Sequence, residues 1–191
     1  IPAACKERPA RLRHKDRHAR WTVKFTKAKP QADGTLPPVD IAISAFGYQN
    51  HIAIDREHGL IRRWLVTDAA AYEGARLREG LLDPGNTART VWADTAYRSA
   101  ANEAFLDKNG FVSRIHRKKP KGRPMPAATR RANNEKSKIR SRVEHVFAEQ
   151  KARMGLFVRT IGIARAKTKI GMANLVYNIR RLAWLARVAA A

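Results

Sequence analysis

Alternation of apolar and polar residues marks the strands of this chain, and it is clearest in two consecutive runs. Tyr48 to Asp55 and Leu60 to Thr67 alternate with a period of two, separated by Arg56-Glu-His-Gly59. Folded back on each other, they bring Tyr48, Ile52 and Ile54 to one face with Leu60, Trp64 and Val66. The segment therefore predicts a β-hairpin whose turn uses Gly59. Trp21-Thr-Val-Lys-Phe25 alternates over a shorter span and predicts a strand, and Pro30 to Pro38, with Gly34, predicts a loop. Residues 69–82 predict a helix weakened by Gly74 and Gly80. Thr90-Val-Trp-Ala-Asp94 is a short apolar run ending in an acid, the pattern of a buried central strand. Ser99 caps a predicted helix through Leu106, with Gly110 at its C′ position, and Phe111 to His116 predicts another strand.

Beyond the Pro/Gly/Lys/Arg loop from Lys118 to Pro126 the periodicity becomes helical. Ile139, Val143 and Val146, at offsets of four and three, give a helix through Lys151 its packing stripe. A last helix from about Lys169 carries Met172, Leu175, Val176, Ile179 and Leu182 on one stripe. Residues 1–20 have no periodicity and read as an irregular basic arm ahead of a single domain over 21–191. Strand and helix signals alternate through that domain without internal repeats, so the expected fold class is α/β, a mixed sheet flanked by helices.

Composition narrows the partner. The chain has 191 residues and 44% apolar content, enough for one domain with a full core. Its net charge of +23 far exceeds what solubility requires and points to a polyanion. Nucleic acid is the first candidate. An anionic membrane surface is the second, but the basic residues are spread along the chain and not gathered on one amphipathic helix. A ribosomal or nucleoid-type basic protein that does no chemistry satisfies the charge equally well. The single Cys5 excludes an internal disulfide framework and a cysteine zinc site, and fits a reducing compartment. The polar, charged start is not a signal peptide. Ala164 to Ala191, the longest apolar stretch, is broken by Arg165, Lys167, Lys169, Arg180, Arg181 and Arg187, so no membrane span is expected. The chain opens at Ile1, without a Met and inside a charged segment, which predicts a further upstream part.

Candidate chemistry gathers around two acids. Arg140, Glu144 and Lys151 stand in an R-x3-E-x6-K spacing that brings all three to one face of a helix. A carboxylate between two cations suits phosphate handling, although a surface helix with i,i+4 ion pairs gives the same spacing. Asp94 ends the predicted central strand, where ligands and catalytic side chains of α/β sheets usually sit. A turn or cap role is the ordinary alternative for an acid in that place. Two carboxylates converging in a basic cleft suit Mg2+ or Mn2+; without metal they repel and raise each other's pKa. The stretch from Arg114 to Arg142 holds twelve Lys/Arg against one acid, Glu135. Arg117, Lys118, Lys119, Lys121, Arg123 and Arg142 are its candidates for phosphate contact. His51, His58, His116 and His145 show no zinc spacing.

The runs Phe46-Gly-Tyr-Gln-Asn-His51, Leu60-Ile-Arg-Arg-Trp64, Val66-Thr-Asp-Ala-Ala70, Trp92-Ala-Asp-Thr-Ala-Tyr-Arg-Ser99 and Glu144-His-Val-Phe-Ala-Glu-Gln-Lys151 resemble bacterial insertion-sequence transposases. These have a DDE catalytic domain of ribonuclease-H-like fold, and the similarity runs from about Ala19 to Ala186. Asp94-Thr-Ala-Tyr97 matches the family's D-x-G/A-Y/F motif, and Arg140, Glu144 and Lys151 match its Y-x2-R-x3-E-x6-K motif. The resemblance implies metal-dependent cleavage at transposon ends and strand transfer into target DNA. It assigns Asp94 and Glu144 to Mg2+ (or Mn2+), and Arg140 and Lys151 to the scissile strand. Double-stranded DNA is the implied partner, a homodimer is compatible, and the implied location is cytoplasmic, at the nucleoid.

Two departures accompany it. Ser137 stands where the family has Tyr, which removes an aromatic contact but no metal ligand. The first catalytic Asp, expected on an apolar strand upstream of the hairpin, has no counterpart. Asp16 lies in Arg-His-Lys-Asp-Arg-His, Asp40 follows a Pro-rich loop, and Asp55 sits in a turn where an Asp is expected for turn chemistry alone. The expectation is a C-terminal part of a transposase whose sheet lacks its first strand. A catalytically inactive DNA-binding remnant of such an element is the rival. A cellular ribonuclease-H-like nuclease has no support in the family-specific runs.

Overall fold

Cross-strand pairing of the alternating segments organises one half of the molecule. In the computed structural model, which describes residues 3–26 and 41–190, β1 (Arg20–Thr26), β2 (Ile41–Ile54) and β3 (Ile61–Asp68) form an antiparallel sheet in the order β1-β2-β3. The predicted loop Pro30–Pro38 lies outside the described residues. β2 starts seven residues before the predicted strand: residues 41–47 pair with β1, Trp21 opposite Phe46, and residues 48–54 pair with β3. Its first half carries Ala42, Ser44 and Ala45, small residues that blur the alternation. Gly59 closes the hairpin at φ +72°, a backbone region where a side chain is strained. Ile52 lies opposite Trp64 and Asn50 opposite Val66, the predicted face. A register shift between Ala53 and Ile54 then puts Ile61, not Leu60, opposite Ile54, and Ile61 is buried. One extra residue on β3 is enough to exchange the two.

The other half is built on a parallel pair, β4 (Thr90–Val91) and β5 (Val112–Ser113). A parallel pair needs a crossover, and α2 (Ala100–Lys108) lies between the two strands in sequence. Ser99 caps it as predicted, its Oγ accepting from the Asn102 N–H at 3.2 Å, and Gly110 follows at φ +70°. Hydrogen bonding continues past the short strands, with His116 N–H donating to the Ala93 carbonyl at 3.0 Å. Leu77, Val91, Leu106, Phe111 and Ile115 form the core here. The helix predicted over 69–82 is replaced by a single 3-10 turn, Glu73–Leu77. Both glycines explain this: a Cβ on Gly74 would stand 2.6 Å from the Ala96 carbonyl oxygen, and Gly80 has φ +137°.

Helices flank both units. α1 (Ala3–Glu7) and a 3-10 turn at Pro9–His14 occupy the segment expected to be irregular. The helix predicted through Lys151 is two, α3 (Ala127–Arg140) and α4 (Arg142–Ala152). They meet at Ser141, whose carbonyl accepts from Glu144 N–H at 2.9 Å in an i→i+3 bond that tightens the turn. α5 (Ile163–Ala189) packs on β2 and β3 through Ala166, Ile170, Ala173, Asn174 and Tyr177. The predicted stripe of Met172, Leu175, Val176, Ile179 and Leu182 faces outward instead, each residue 44–62% exposed. Small residues on the inner face let α5 approach the sheet closely: the would-be Cβ of Gly171 lies 3.6 Å from the Trp64 ring. Ile61, Val146 and Tyr177 make the second core, joining hairpin, α4 and α5. Antiparallel and parallel strands flanked by helices realise the expected α/β class. No helix among the described residues is long and apolar enough to cross a membrane.

Candidate nucleic-acid cleft

A cleft of about 2060 Å3 separates the two strand units. Tyr48 to Ile54 of β2 and the following Asp55 line one wall, Thr90 to Asp94 line another, and Arg140, Glu144 and Lys151 stand along α3 and α4. The predicted cation–acid–cation face therefore opens onto the same space as Asp94. Glu144, in the first turn of α4, is 60% exposed at its side chain, and Arg140 Nη1 lies 3.0 Å from its Oε1. The i,i+4 ion pair anticipated as the ordinary alternative thus exists, and it does not remove the carboxylate from the cleft. Lys151, in the last turn of α4, is exposed and has no ion pair among the described residues. Asp94 lies three residues past β4. Its Oδ1 accepts from Ala96 N–H at 2.8 Å and caps the 3-10 turn Thr95–Tyr97. Oδ2 accepts no hydrogen bond among the described residues.

Not all the predicted phosphate contacts share this space. Arg142 lines the cleft and donates to the Arg56 carbonyl, while Arg56 lies 5.2 Å from the centre of the Trp92 ring. Arg117, Lys118, Lys119, Lys121 and Arg123 are exposed on the loop between β5 and α3, outside the cleft walls. Asn133 fixes the root of that loop, bonding both the N–H and the carbonyl of Arg117 at 3.0 Å.

Cations dominate the field. His116, next to the end of β4, is held below the usual imidazole range by burial and by the charges of Arg140 and Lys136, with Asp94 opposing them. Its Nε2 lies 3.4 Å from Ser137 Oγ, the position where the family pattern has Tyr. Lys136 donates to the Ile115 carbonyl at 3.1 Å; burial, then Arg98, Arg117 and Arg114, push its ammonium down. For both groups burial disfavours the charged form most, and the neighbouring cations add to it.

The carboxylates of Asp94 and Glu144 both line the cleft, and carboxylate oxygens are the hard ligands that Mg2+ or Mn2+ prefers. Among the described residues no group of three or more His, Cys, Asp or Glu stands together to hold a metal. The acids considered for the missing ligand have other partners. Asp55 accepts from the N–H groups of His58, Gly59 and Leu60 at 2.6, 3.2 and 2.9 Å, the turn chemistry expected of it. Asp16 accepts from Tyr48 O–H at 2.7 Å and from Gly162 N–H at 3.0 Å, tying the N-terminal segment to β2 and to the start of α5. Desolvation raises its pKa, but these bonds and those from Ala19 and His18 outweigh it and bring it down to about 2. Asp40 lies outside the described residues.

Sequence reasoning missed the polar groups that position α4. Gln150 and Asn174, both fully buried, bond at 2.8 Å, and Asn174 also accepts from Asn50 of β2 at 3.0 Å. Asn178 grips the N–H and carbonyl of Ile61, each at 2.8 Å. Asn174 and Asn178, four apart in an apolar helix, are the signal that was available.

Residues 14–179 match the family of the transposase DDE domain, and the chain belongs to that family. Its α/β arrangement is consistent with the ribonuclease-H-like fold of such domains. The transposase for insertion sequence element IS1106, from Neisseria meningitidis serogroup B, is 31% identical over 133 residues, which is 70% of this chain and 40% of that protein. The chain therefore spans less than half the length of this curated relative. No solved structure is a significant match.

Proposed function

We propose that this chain forms part of the catalytic centre of an insertion-sequence DNA transposase, which cleaves transposon ends and joins them to target DNA. One observation carries the reading: Asp94, Arg140, Glu144 and Lys151 line one cleft in a chain of the DDE family. In this reading Arg140 and Lys151 hold the phosphates on either side of the scissile bond, and Lys118, Lys119 and their neighbours hold DNA leading away from it. Asp94 and Glu144 are the metal ligands. A bound Mg2+ or Mn2+ would supply Lewis acidity and a lowered pKa for water. Arg140, with Nη1 3.0 Å from Glu144 Oε1, orients that carboxylate. A double-stranded DNA partner and a location at the nucleoid follow. A homodimer fits as well, since the outward stripe of α5 from Met172 to Leu182 is apolar and exposed.

A two-ion site needs a further carboxylate. The far edge of β2 over residues 48–54, away from β3, has no strand partner among the described residues, and neither does the edge of β4 away from β5. Both edges border the cleft. An extended segment carrying an acid between them would pair with each and bring its side chain beside Asp94. The lack of a three-acid group among the described residues favours the second reading, a DNA-binding remnant without cleavage. Asp94→Asn and Glu144→Gln, made in a protein that nicks transposon-end DNA in Mg2+, separate the two. Each is expected to abolish nicking while leaving DNA binding intact. Nicking at near wild-type rates in either variant refutes the assignment.

A further inference from the structure

A second concentration of positive charge lies outside the cleft lining, where the end of α4 meets the C-terminal half of α5. Arg153, Arg180, Arg181 and Arg187, with Glu149, Ala183 and Trp184, line a concavity of about 370 Å3. Four guanidinium groups share it with one carboxylate. Two of them are held in fixed directions. Arg180 Nε lies 2.9 Å from Glu149 Oε1. Arg181 Nε donates to the His58 carbonyl at 2.6 Å, and its guanidinium lies 4.3 Å from the centre of the Trp184 ring. Each anchoring bond uses Nε and leaves the paired Nη groups to act as a planar fork for oxyanions. Arg153 and Arg187 are exposed and have no ion pair among the described residues.

We propose that this cluster is a second phosphate-binding surface, which holds a stretch of nucleic-acid backbone distinct from the one in the cleft. Four like charges in one concavity repel one another, and an anion of closely spaced phosphates removes that repulsion. Solvated arginines on an open helix face would not require the Glu149 and Trp184 contacts that orient this set. Direction separates the two surfaces. Arg153 follows Glu144 by nine residues, about 180° around a helix axis, so it leaves α4 on the side opposite the cleft. A backbone bound here is therefore a different segment of the duplex, or a different duplex, from the one beside Glu144. The inference rests on the DNA-binding reading above and assigns part of that binding to residues no motif of the chain includes.

Salt titrations of the 191-residue chain with a duplex of about 30 base pairs test it, since each neutralised phosphate contributes about 0.9 to the slope of log K against log salt. Arg153→Ala with Arg187→Ala is expected to reduce the slope by about 2 for any sequence. Lys118→Ala, Lys119→Ala and Lys121→Ala together lower it independently, so the two losses add. Arg153→Lys with Arg187→Lys should restore most of the slope, which a loss of folding would not allow. Glu149→Gln removes the one acid of the cluster and should tighten binding. If the arginine pair leaves slope and affinity unchanged while the lysine set lowers both, DNA is bound but not here, and this inference alone is overturned. A wild-type chain without salt-dependent binding overturns it together with the DNA-binding reading.

Discussion

His51 and Asp16 show how single side chains set the acid tolerance of the protein. His51 is buried on β2, bonded to Thr67 Oγ1 at 2.8 Å, and its pKa is pushed from 6.5 to about 4 by burial, then by the charges of Arg76 and Lys24. The folded chain therefore binds this proton less readily than the unfolded one. Stability attached to the neutral ring is present above pH 6.5 and is lost as pH falls toward about 4. Thermal melting should decline through that window, and His51→Gln should flatten the decline; an unchanged pH profile in the variant excludes the assignment. Asp16 works lower. Its contribution is present above the ordinary carboxylate value and is lost as pH falls through about 2. The partner phenol of Tyr48 is pushed up to about 12 by burial and by the Asp16 bond and charge. Tyr48→Phe should cost about 1.5–3 kcal/mol at neutral pH, read from urea denaturation, because it removes a hydrogen bond to a charged acceptor.

At the scale of elements, polar groups and glycines decide how helices meet strands. Asn178 of α5 satisfies both backbone groups of Ile61 at the bulged end of β3. Asn178→Leu keeps the branched shape of the side chain but leaves those groups without partners, and should destabilise the fold by about 1–3 kcal/mol. A shift smaller than about 0.5 kcal/mol in chemical denaturation would mean that water replaces the side chain there. Gly74→Ala tests the turn that replaced the predicted helix. Its Cβ meets the rigid Ala96 carbonyl oxygen at 2.6 Å, so the backbone after Asp94 must move. The expected cost is about 1–3 kcal/mol of stability, instead of the gain that an Ala brings to a true helix. A more stable variant would restore the helix reading of residues 69–82.

Across the whole molecule, charge governs the expected behaviour. With +23 on 191 residues, neutralising about six to ten phosphates should lower DNA affinity about 10³–10⁵-fold between about 50 and 200 mM salt. A flat titration would show that the charge serves another partner. In the proposed reading Asp94 and Glu144 leave a two-ion site one carboxylate short, so the 191-residue chain is expected to bind DNA without nicking it in Mg2+ or Mn2+. Nicking by this chain, lost on Asp55→Asn, would instead make Asp55 a ligand despite its three turn bonds.

Local pattern alone determined the hairpin, the Ser99 cap, the α/β class and the Arg140–Glu144 pairing, because each depends on residues near in sequence, whereas the break at Ser141 divides the expected single helix. Charge likewise pointed to a polyanion as the expected partner. Tertiary packing decided what pattern leaves open. It turned the apolar stripe of α5 outward, because the face with Gly171, Ala173 and Asn174 allows the close approach to β3 and the bond to Asn50 of β2. It exchanged Ile61 for Leu60 through a bulge that hydrophobicity does not encode. It gave Asp16 a role by bringing Tyr48 and Gly162 to it from 32 and 146 residues away. The arginine cluster between α4 and α5 is of the same kind: Arg153 and Arg187 become neighbours only when the two helices pack.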